Sequence, residues 1–167
     1  MLLALAHAAG AQQPATPRRS QHGSVTQVVG ETRIEIAYSR PLARGRELFG
    51  TLVPWGRVWN PGADTATQVT FSTDVRINGQ PLSAGTYSLW AIPRPETWTV
   101  IFSRAAPVWH TPYPGPERDV LRLEVRTTTG AHMETLAYYF PVVEGRRATL
   151  HLHWGTTVVP LEIRTEQ

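Results

Sequence analysis

Apolar residues recur at every second position through most of this chain, and that period constrains the fold more than any other feature. Val69, Phe71, Val75 and Ile77 alternate with Gln68, Thr70, Ser72, Asp74 and Arg76. Ile34, Ile36 and Tyr38 alternate with Arg33, Glu35 and Ala37, and Leu121, Leu123 and Val125 alternate with Arg122, Glu124 and Arg126. Further rows are Trp98, Val100 and Phe102; Leu136, Tyr138 and Phe140; Leu150, Leu152 and Trp154; and Val159, Leu161 and Ile163. A period of two places each row on one face of a strand. Turn signals separate the rows: Gly30-Glu31, Asn78-Gly79, Thr129-Gly130, Glu144-Gly145 and Gly155-Thr156. Asn-Gly is the strongest of these, and a glycine-first pair such as Gly30-Glu31 suits a type II′ turn. Residues 86–92 turn apolar on both faces late in their run, which suits a central strand. About nine to ten short strands with turns every 8–12 residues predict an all-β fold, an antiparallel β-sandwich or related barrel. No amphipathic helix is expected; residues 43–49 could form one turn.

One stretch breaks the period. Residues 38–67 read YSRPLARGRELFGTLVPWGRVWNPGADTAT, punctuated by Pro41, Gly45, Gly50, Pro54, Gly56, Pro61 and Gly62. Leu48, Phe49, Leu52, Val53, Trp55, Val58 and Trp59 within it call for burial, so a long ordered loop is expected rather than a disordered one. Such loops are more often functional than accidental. A second aperiodic segment, residues 104–117, holds four prolines with Trp109, His110 and Tyr113.

The chain has 167 residues, enough for one domain with a real core. It has no cysteine, which removes thiol nucleophiles, disulfides and cysteine-ligated metals. All sixteen basic side chains are arginine, which removes Schiff-base chemistry and a phosphate-loop lysine. The net charge is only +3 and the arginines are scattered, so no nucleic-acid footprint is expected. Residues 1–11 resemble a secretory leader, with an apolar run from Leu2 and a small-residue site at Ala9-Gly10-Ala11. The positively charged start is missing, so the leader reads as truncated. Residues 12–22 read as a flexible arm and residues 23–165 as a single β domain. No run is long enough to span a bilayer. A periplasmic or secreted protein is expected; the sequence does not specify an oligomeric state.

Three constellations could carry chemistry. In the long loop, Arg40, Arg44, Arg46 and Arg57 stand near Glu47 and Asp64. Arginine forks grip carboxylates and phosphates in two places. One reading is a cleft for a small polar, anionic or carbohydrate ligand, with Tyr38, Arg40, Arg46, Trp55, Trp59, Asn60 and Asp64 as contacts. The other is a self-packed cap in which Trp59 fills the end of the core and Arg46 ties down backbone carbonyls or Asp64. Second, His151 and His153 share a strand face and could bind a divalent metal if a third ligand arrives from a neighbour. His110, His132, His22 and Glu134 are the candidates; without one, the pair is an exposed outer-face feature. Third, Glu47 and Asp64 could form a carboxylate pair for hydrolysis, although any two acids can be named this way. No G-x-S-x-G elbow occurs. Among the remaining tryptophans, Trp98 belongs to a core row, and Trp90 fits either the core or an outward aromatic platform.

The ordered set of short motifs also resembles a family. Tyr38-Ser39-Arg40-Pro41, Gly45-Arg46, Phe49-Gly50, Leu52-Val53-Pro54, Val58-Trp59 and Gly62-Ala63-Asp64 with Ala66-Thr67 look like the DUF2911 signature. The likeness continues through Phe71-Ser72, Asp74-Val75, Gly79, residues 84–89, Ile92-Pro93, residues 98–101 and Trp154, and covers roughly residues 20–163. The resemblance implies a bacterial, usually exported domain without an established activity. Two positions depart from it. Asn60 stands where relatives usually carry arginine, and Asp64 where they usually carry asparagine. The expectation is a non-catalytic binding domain without a cofactor. A metal-assisted or carboxylate-based enzyme and an accessory module of the cell envelope are the alternatives.

Overall fold

The computed structural model describes residues 20–166. Ten strands form in chain order: β1 (Gln21–Val29), β2 (Thr32–Arg40), β3 (Gln68–Phe71), β4 (Val75–Ile77), β5 (Gln80–Leu82), β6 (Gly85–Ile92), β7 (Thr97–Ser103), β8 (Asp119–Arg126), β9 (Thr128–Glu144) and β10 (Arg147–Thr165). The helical structure among the described residues is one 3-10 turn, Pro116–Arg118, so residues 43–49 are not helical.

The strands build two antiparallel sheets, β1-β2-β3-β6-β7-β8 and β5-β4-β10-β9. They do not close into a barrel. The alternating rows face one another across the sandwich. Ile34, Ile36, Val69, Phe71, Trp98, Val100 and Phe102 of the first sheet meet Leu136, Leu150, Leu152, Trp154, Leu161 and Ile163 of the second in one core. The expected central strand is β6, paired with β3 on one side and β7 on the other. Trp90 is buried in a small second core on the other face of that sheet, with Ala66 and Ile101 under Val108 and Tyr113. The 104–117 segment therefore covers this face, and Trp90 is not an outward platform.

Three expectations about continuity are corrected. The row from Val69 to Ile77 is not one strand. The chain bends at residues 72–74, so β3 joins the first sheet and β4 the second. Thr129-Gly130 is no turn; β9 runs through it, and the chain passes from the first sheet to the second at Thr127. Gly155-Thr156 is no turn either. β10 continues for 19 residues, and Gly155, at φ 59, sits where the register against β9 shifts. Such a bulge adds a residue and bends the strand. Three other turn sites hold. Gly30 takes φ 58, Gly145 takes φ 54, and Asn78-Gly79 take φ 48 and 82. Two successive positive φ values are the type I′ geometry that closes β4 onto β5. At the N-terminal edge, β1 starts at Gln21, so the last two residues assigned to the arm pair in the sheet. The leader and most of the arm lie outside the described residues.

Candidate functional site

The long loop is stapled to both sheets by its backbone. Ala43 N–H donates to the Glu134 carbonyl at 2.7 Å, and Leu136 N–H on β9 donates to the Pro41 carbonyl at 2.9 Å. On the other sheet, Trp59 and Ala91 exchange both backbone bonds at 2.8 Å, and Gly56 N–H donates to the Pro93 carbonyl at 2.8 Å. Backbone polar groups that would otherwise lack partners are satisfied in this way. Between the staples, Phe49 and Trp59 plug the open end of the sandwich. Phe49 packs edge-on to Trp98 at 4.8 Å, and Trp59 stacks on Trp154 at 6.0 Å and 14°. Trp98 comes from the first sheet and Trp154 from the second, so these loop aromatics bridge the two layers. Leu48 and Val53 are also buried. Leu52, Trp55 and Val58 are not: 41%, 42% and 36% of their surface stays exposed. Burial is thus shared among four of the seven apolar loop residues.

Beside this plug lies an open cleft of about 420 Å³, lined by Arg44, Arg46, Leu52, Val53, Trp59, Gly62, Ala63, His110 and Trp154, among others. The two aperiodic segments meet here. His110 N–H donates to the Asp64 carbonyl at 2.9 Å, and its Nδ1 lies 2.6 Å from the same oxygen. Nδ1 therefore carries a proton, which leaves Nε2 as the second edge of the ring. The 104–117 segment is itself anchored by Tyr113, whose hydroxyl donates to Asp119 at 2.6 Å, while Arg122 pairs with the same carboxylate at 2.8 Å. Burial, then the Asp119 bond, pushes the Tyr113 phenol up to about 12.

The cationic side chains differ in what they have left to give. Arg46 donates Nε to the Ala43 carbonyl at 2.9 Å and Nη2 to the Leu42 carbonyl at 2.7 Å. It thus closes the turn that holds it, as the self-packed reading expects. Arg44 takes φ 53, and its backbone N–H donates to the Glu134 carboxylate at 2.7 Å. This bond, with a smaller contribution from His132, holds the Glu134 carboxyl below its usual range. The Arg44 guanidinium makes no hydrogen bond or ion pair among the described residues, although its charge helps to lower the Glu134 pKa, and no carboxylate of the described residues lines the cleft.

The other expected contacts fall elsewhere. Tyr38 is buried; its hydroxyl accepts from Tyr138 N–H at 3.2 Å, and the two rings pack edge to face at 4.7 Å. Arg40 reaches the Leu136 carbonyl at 3.4 Å. Trp55 lies on Phe49 at 6.2 Å, outside the lining. Asn60 is 2% exposed and works as a clamp: Nδ2 donates to the Leu89 carbonyl at 2.7 Å, and Oδ1 accepts from Thr67 N–H at 3.4 Å. Asp64 takes φ 61 and contributes its carbonyl, not its carboxylate, to the His110 contact. Glu47 accepts from Thr51 at 2.7 Å, and neither Glu47 nor Asp64 lines the cleft. Among the described residues, no loop arginine forms an ion pair with either acid. Trp154 and His110 complete the cleft through tertiary contacts. Trp154 is hidden in a core row in the sequence, and His110 reads there as a metal-ligand candidate in the second aperiodic segment.

His151 and His153 do lie together, but not as an exposed pair. His153 is only 5% exposed, and Tyr139 on β9 stands between the two rings. Burial, then the neighbouring His153, lowers the His151 pKa. Among the described residues, no three His, Cys, Asp or Glu side chains gather to hold a metal, so none of the four expected third ligands arrives.

A wider groove of about 670 Å³ is lined by Arg76, Glu144, Arg146, Arg147, Arg164 and Glu166. Both charge signs are present, Arg76 is paired to Glu166 at 2.7 Å, and no aromatic ring forms a floor. The smaller cleft has the features of a ligand site, with an apolar floor and a few convergent polar groups.

No helix among the described residues is long and apolar enough to cross a membrane. No match was found among curated proteins or among solved structures. The family model described as protein of unknown function DUF2911 matches residues 20–163, nearly the whole of the two-sheet fold, and the chain belongs to that family.

Proposed function

We propose that the protein is an exported, non-catalytic binding domain, and that its ligand is a small anion with an apolar or planar body. The observation that carries this reading is the charge of the cleft. Arg44, Arg46 and His110 converge on it, no acid among the described residues lines it, and Trp59 and Trp154 supply a stacked aromatic floor. Guanidinium groups grip carboxylate or phosphate oxygens, while the tryptophans take the apolar part. Export rests on the leader-like sequence of residues 1–11.

Arg44 is the residue to change, because its guanidinium makes no hydrogen bond or ion pair among the described residues and lines the cleft. The full chain is titrated calorimetrically with a panel of small carboxylates, phosphates, phosphosugars and neutral sugars. Saturable binding of an anion is expected, weakened by salt and by Arg44→Gln at unchanged melting temperature. A panel without a binder, or a binder indifferent to Arg44→Gln, would refute the reading. Tight binding of neutral sugars alone would move it from an anion site to a carbohydrate site.

A further inference from the structure

A second cluster stands apart from the cleft residues. On the face of β10 opposite Leu150, Leu152 and Trp154, the Tyr139 hydroxyl oxygen lies 3.0 Å from Nδ1 of His153 and 3.3 Å from Nδ1 of His151. Tyr139 is the direct cross-strand partner of His151, with His153 two residues further along the same face. The phenol oxygen thus stands within reach of two imidazole nitrogens, and the three potential ligands come from two adjacent strands.

We propose that His151, Tyr139 and His153 bind one late first-row divalent metal ion, with copper(II) preferred. Metal–nitrogen and metal–oxygen bonds near 2.0–2.1 Å put neighbouring donors about 2.9 Å apart at right angles and about 3.4 Å apart at the tetrahedral angle. The two separations seen, 3.0 and 3.3 Å, fall in that window.

The surroundings of His153 support the assignment. Its Nε2 lies 3.0 Å from the Ala131 carbonyl, to which it donates. That bond fixes the proton on Nε2 and leaves the Nδ1 lone pair facing Tyr139. Ligating histidines are held in this way, by a carbonyl on the far nitrogen. The ring also has a recess made for it. At Gly130 an added Cβ would come within 3.0 Å of the His153 Cε1 atom, so bare backbone on β9 makes room for the imidazole. His153 is buried, while His151 and Tyr139 are half-buried, which leaves a path for an ion from one side.

The protons balance as follows. In the metal-free chain the Tyr139 O–H donates to His153 Nδ1, and His151 donates its Nδ1 proton to the Tyr139 oxygen. On binding, the phenol proton leaves to water and the His151 proton transfers through solvent from Nδ1 to Nε2. The ion then has two neutral imidazoles, one phenolate and open positions for water. Imidazole nitrogen with an oxygen donor suits copper(II), which also stands highest among the divalent ions in affinity.

The test is titration of the tag-free full chain with copper(II) and, separately, zinc(II). Expected are a stoichiometry of one, tighter copper than zinc binding, and a visible phenolate-to-copper charge-transfer band. Tyr139→Phe should abolish that band, and His151→Asn should weaken copper binding about tenfold or more. His22→Asn, His110→Asn and His132→Asn should leave both unchanged. His151 is only half-buried, so His151→Asn remains informative if a substitution at buried His153 prevents folding. The proposal is overturned if copper binds without fixed stoichiometry, if no phenolate band forms, or if band and affinity survive Tyr139→Phe and His151→Asn.

Discussion

Trp59 lies almost parallel to Trp154, with ring centroids 6.0 Å apart and an interplanar angle of 14°. One ring belongs to an irregular loop and the other to the longest strand. Their contact closes the end of the sandwich and makes the floor of the cleft. Stability and the proposed binding would therefore both depend on this pair. Trp59→Ala should cost about 3 kcal/mol, the low end for losing a tryptophan because its ring is only partly buried. Denaturant unfolding reads the loss. A stability change below about 1 kcal/mol would mean that the loop does not lean on this ring.

Asn60 should behave as a structural residue. Asn60→Ala leaves the Leu89 carbonyl and the Thr67 N–H without their side-chain partners, a cost of about 1–3 kcal/mol. Asn60→Asp should be worse. It keeps the acceptor for Thr67 but sets a buried carboxylate against the Leu89 carbonyl. Thermal unfolding of the two variants checks the order; an Asp variant as stable as the parent would contradict the clamp.

Gly155 is required twice over. At φ 59 a side chain is strained, and an added Cβ would stand 2.8 Å from Leu48 Cδ1. Gly155→Ala should cost about 1–2 kcal/mol from the backbone alone, and more from displacing Leu48. Trimming Leu48 should relieve the second part. In a double-mutant cycle, Gly155→Ala with Leu48→Ala should therefore cost less than the sum of the single changes. Strict additivity would show that the clash is absent.

Tyr113 gives a pH signature at the alkaline end. Its folded phenol is pushed up to about 12, above the ordinary 10.0. A folded pKa above the unfolded one favours the folded state at low pH. That contribution is complete below about pH 10 and is lost as the pH rises through about 12. Burial also raises the Tyr87 and Tyr138 phenols, so ultraviolet titration should show a high-pH tyrosine step whose amplitude Tyr113→Phe lowers by one tyrosine near pH 12. If the amplitude near pH 12 is the same in the variant, Tyr113 does not titrate there.

Glu134 gives the opposite sign. Its carboxyl is held below the usual range, first by the Arg44 N–H and then by His132. A depressed folded pKa stabilises above the unfolded value, and the contribution is lost as the pH falls through the folded pKa. Acidification through the carboxylate range should loosen the Arg44 turn before the sheets unfold. Hydrogen exchange at the Arg44 amide should accelerate there. Glu134→Gln should flatten the dependence, since its amide oxygen still accepts from Arg44 at every pH.

Much of the scaffold was legible in the residues themselves. The rows from Ile34 to Ile163 point where a period of two sends them, and Gly30, Asn78-Gly79 and Gly145 turn where expected. The reason is local: in a strand, side-chain direction is set by position parity, and a tight turn is set by the φ its residues tolerate. The same logic failed at Gly130 and Gly155. A glycine marks a turn, a bulge or a close approach with the same letter. What decided between them was the partner strand, together with His153 above Gly130 and Leu48 beside Gly155.

The site was legible only in outline. The sequence established which segment would be irregular and that some of its apolar residues would be buried, because apolar residues in a proline- and glycine-rich stretch must still find burial; whether Trp59 would anchor the core or floor a cleft it left open. It could not assign the arginines: Arg46 is held by neighbouring carbonyls, while the Arg44 side chain stays open to the cleft. Nor could it bring Trp154 and His110 to one side of Trp59, or set Tyr139 between His151 and His153. Those meetings join residues far apart in the chain. They depend on how the two sheets pack and where each loop is stapled, and no local period encodes that.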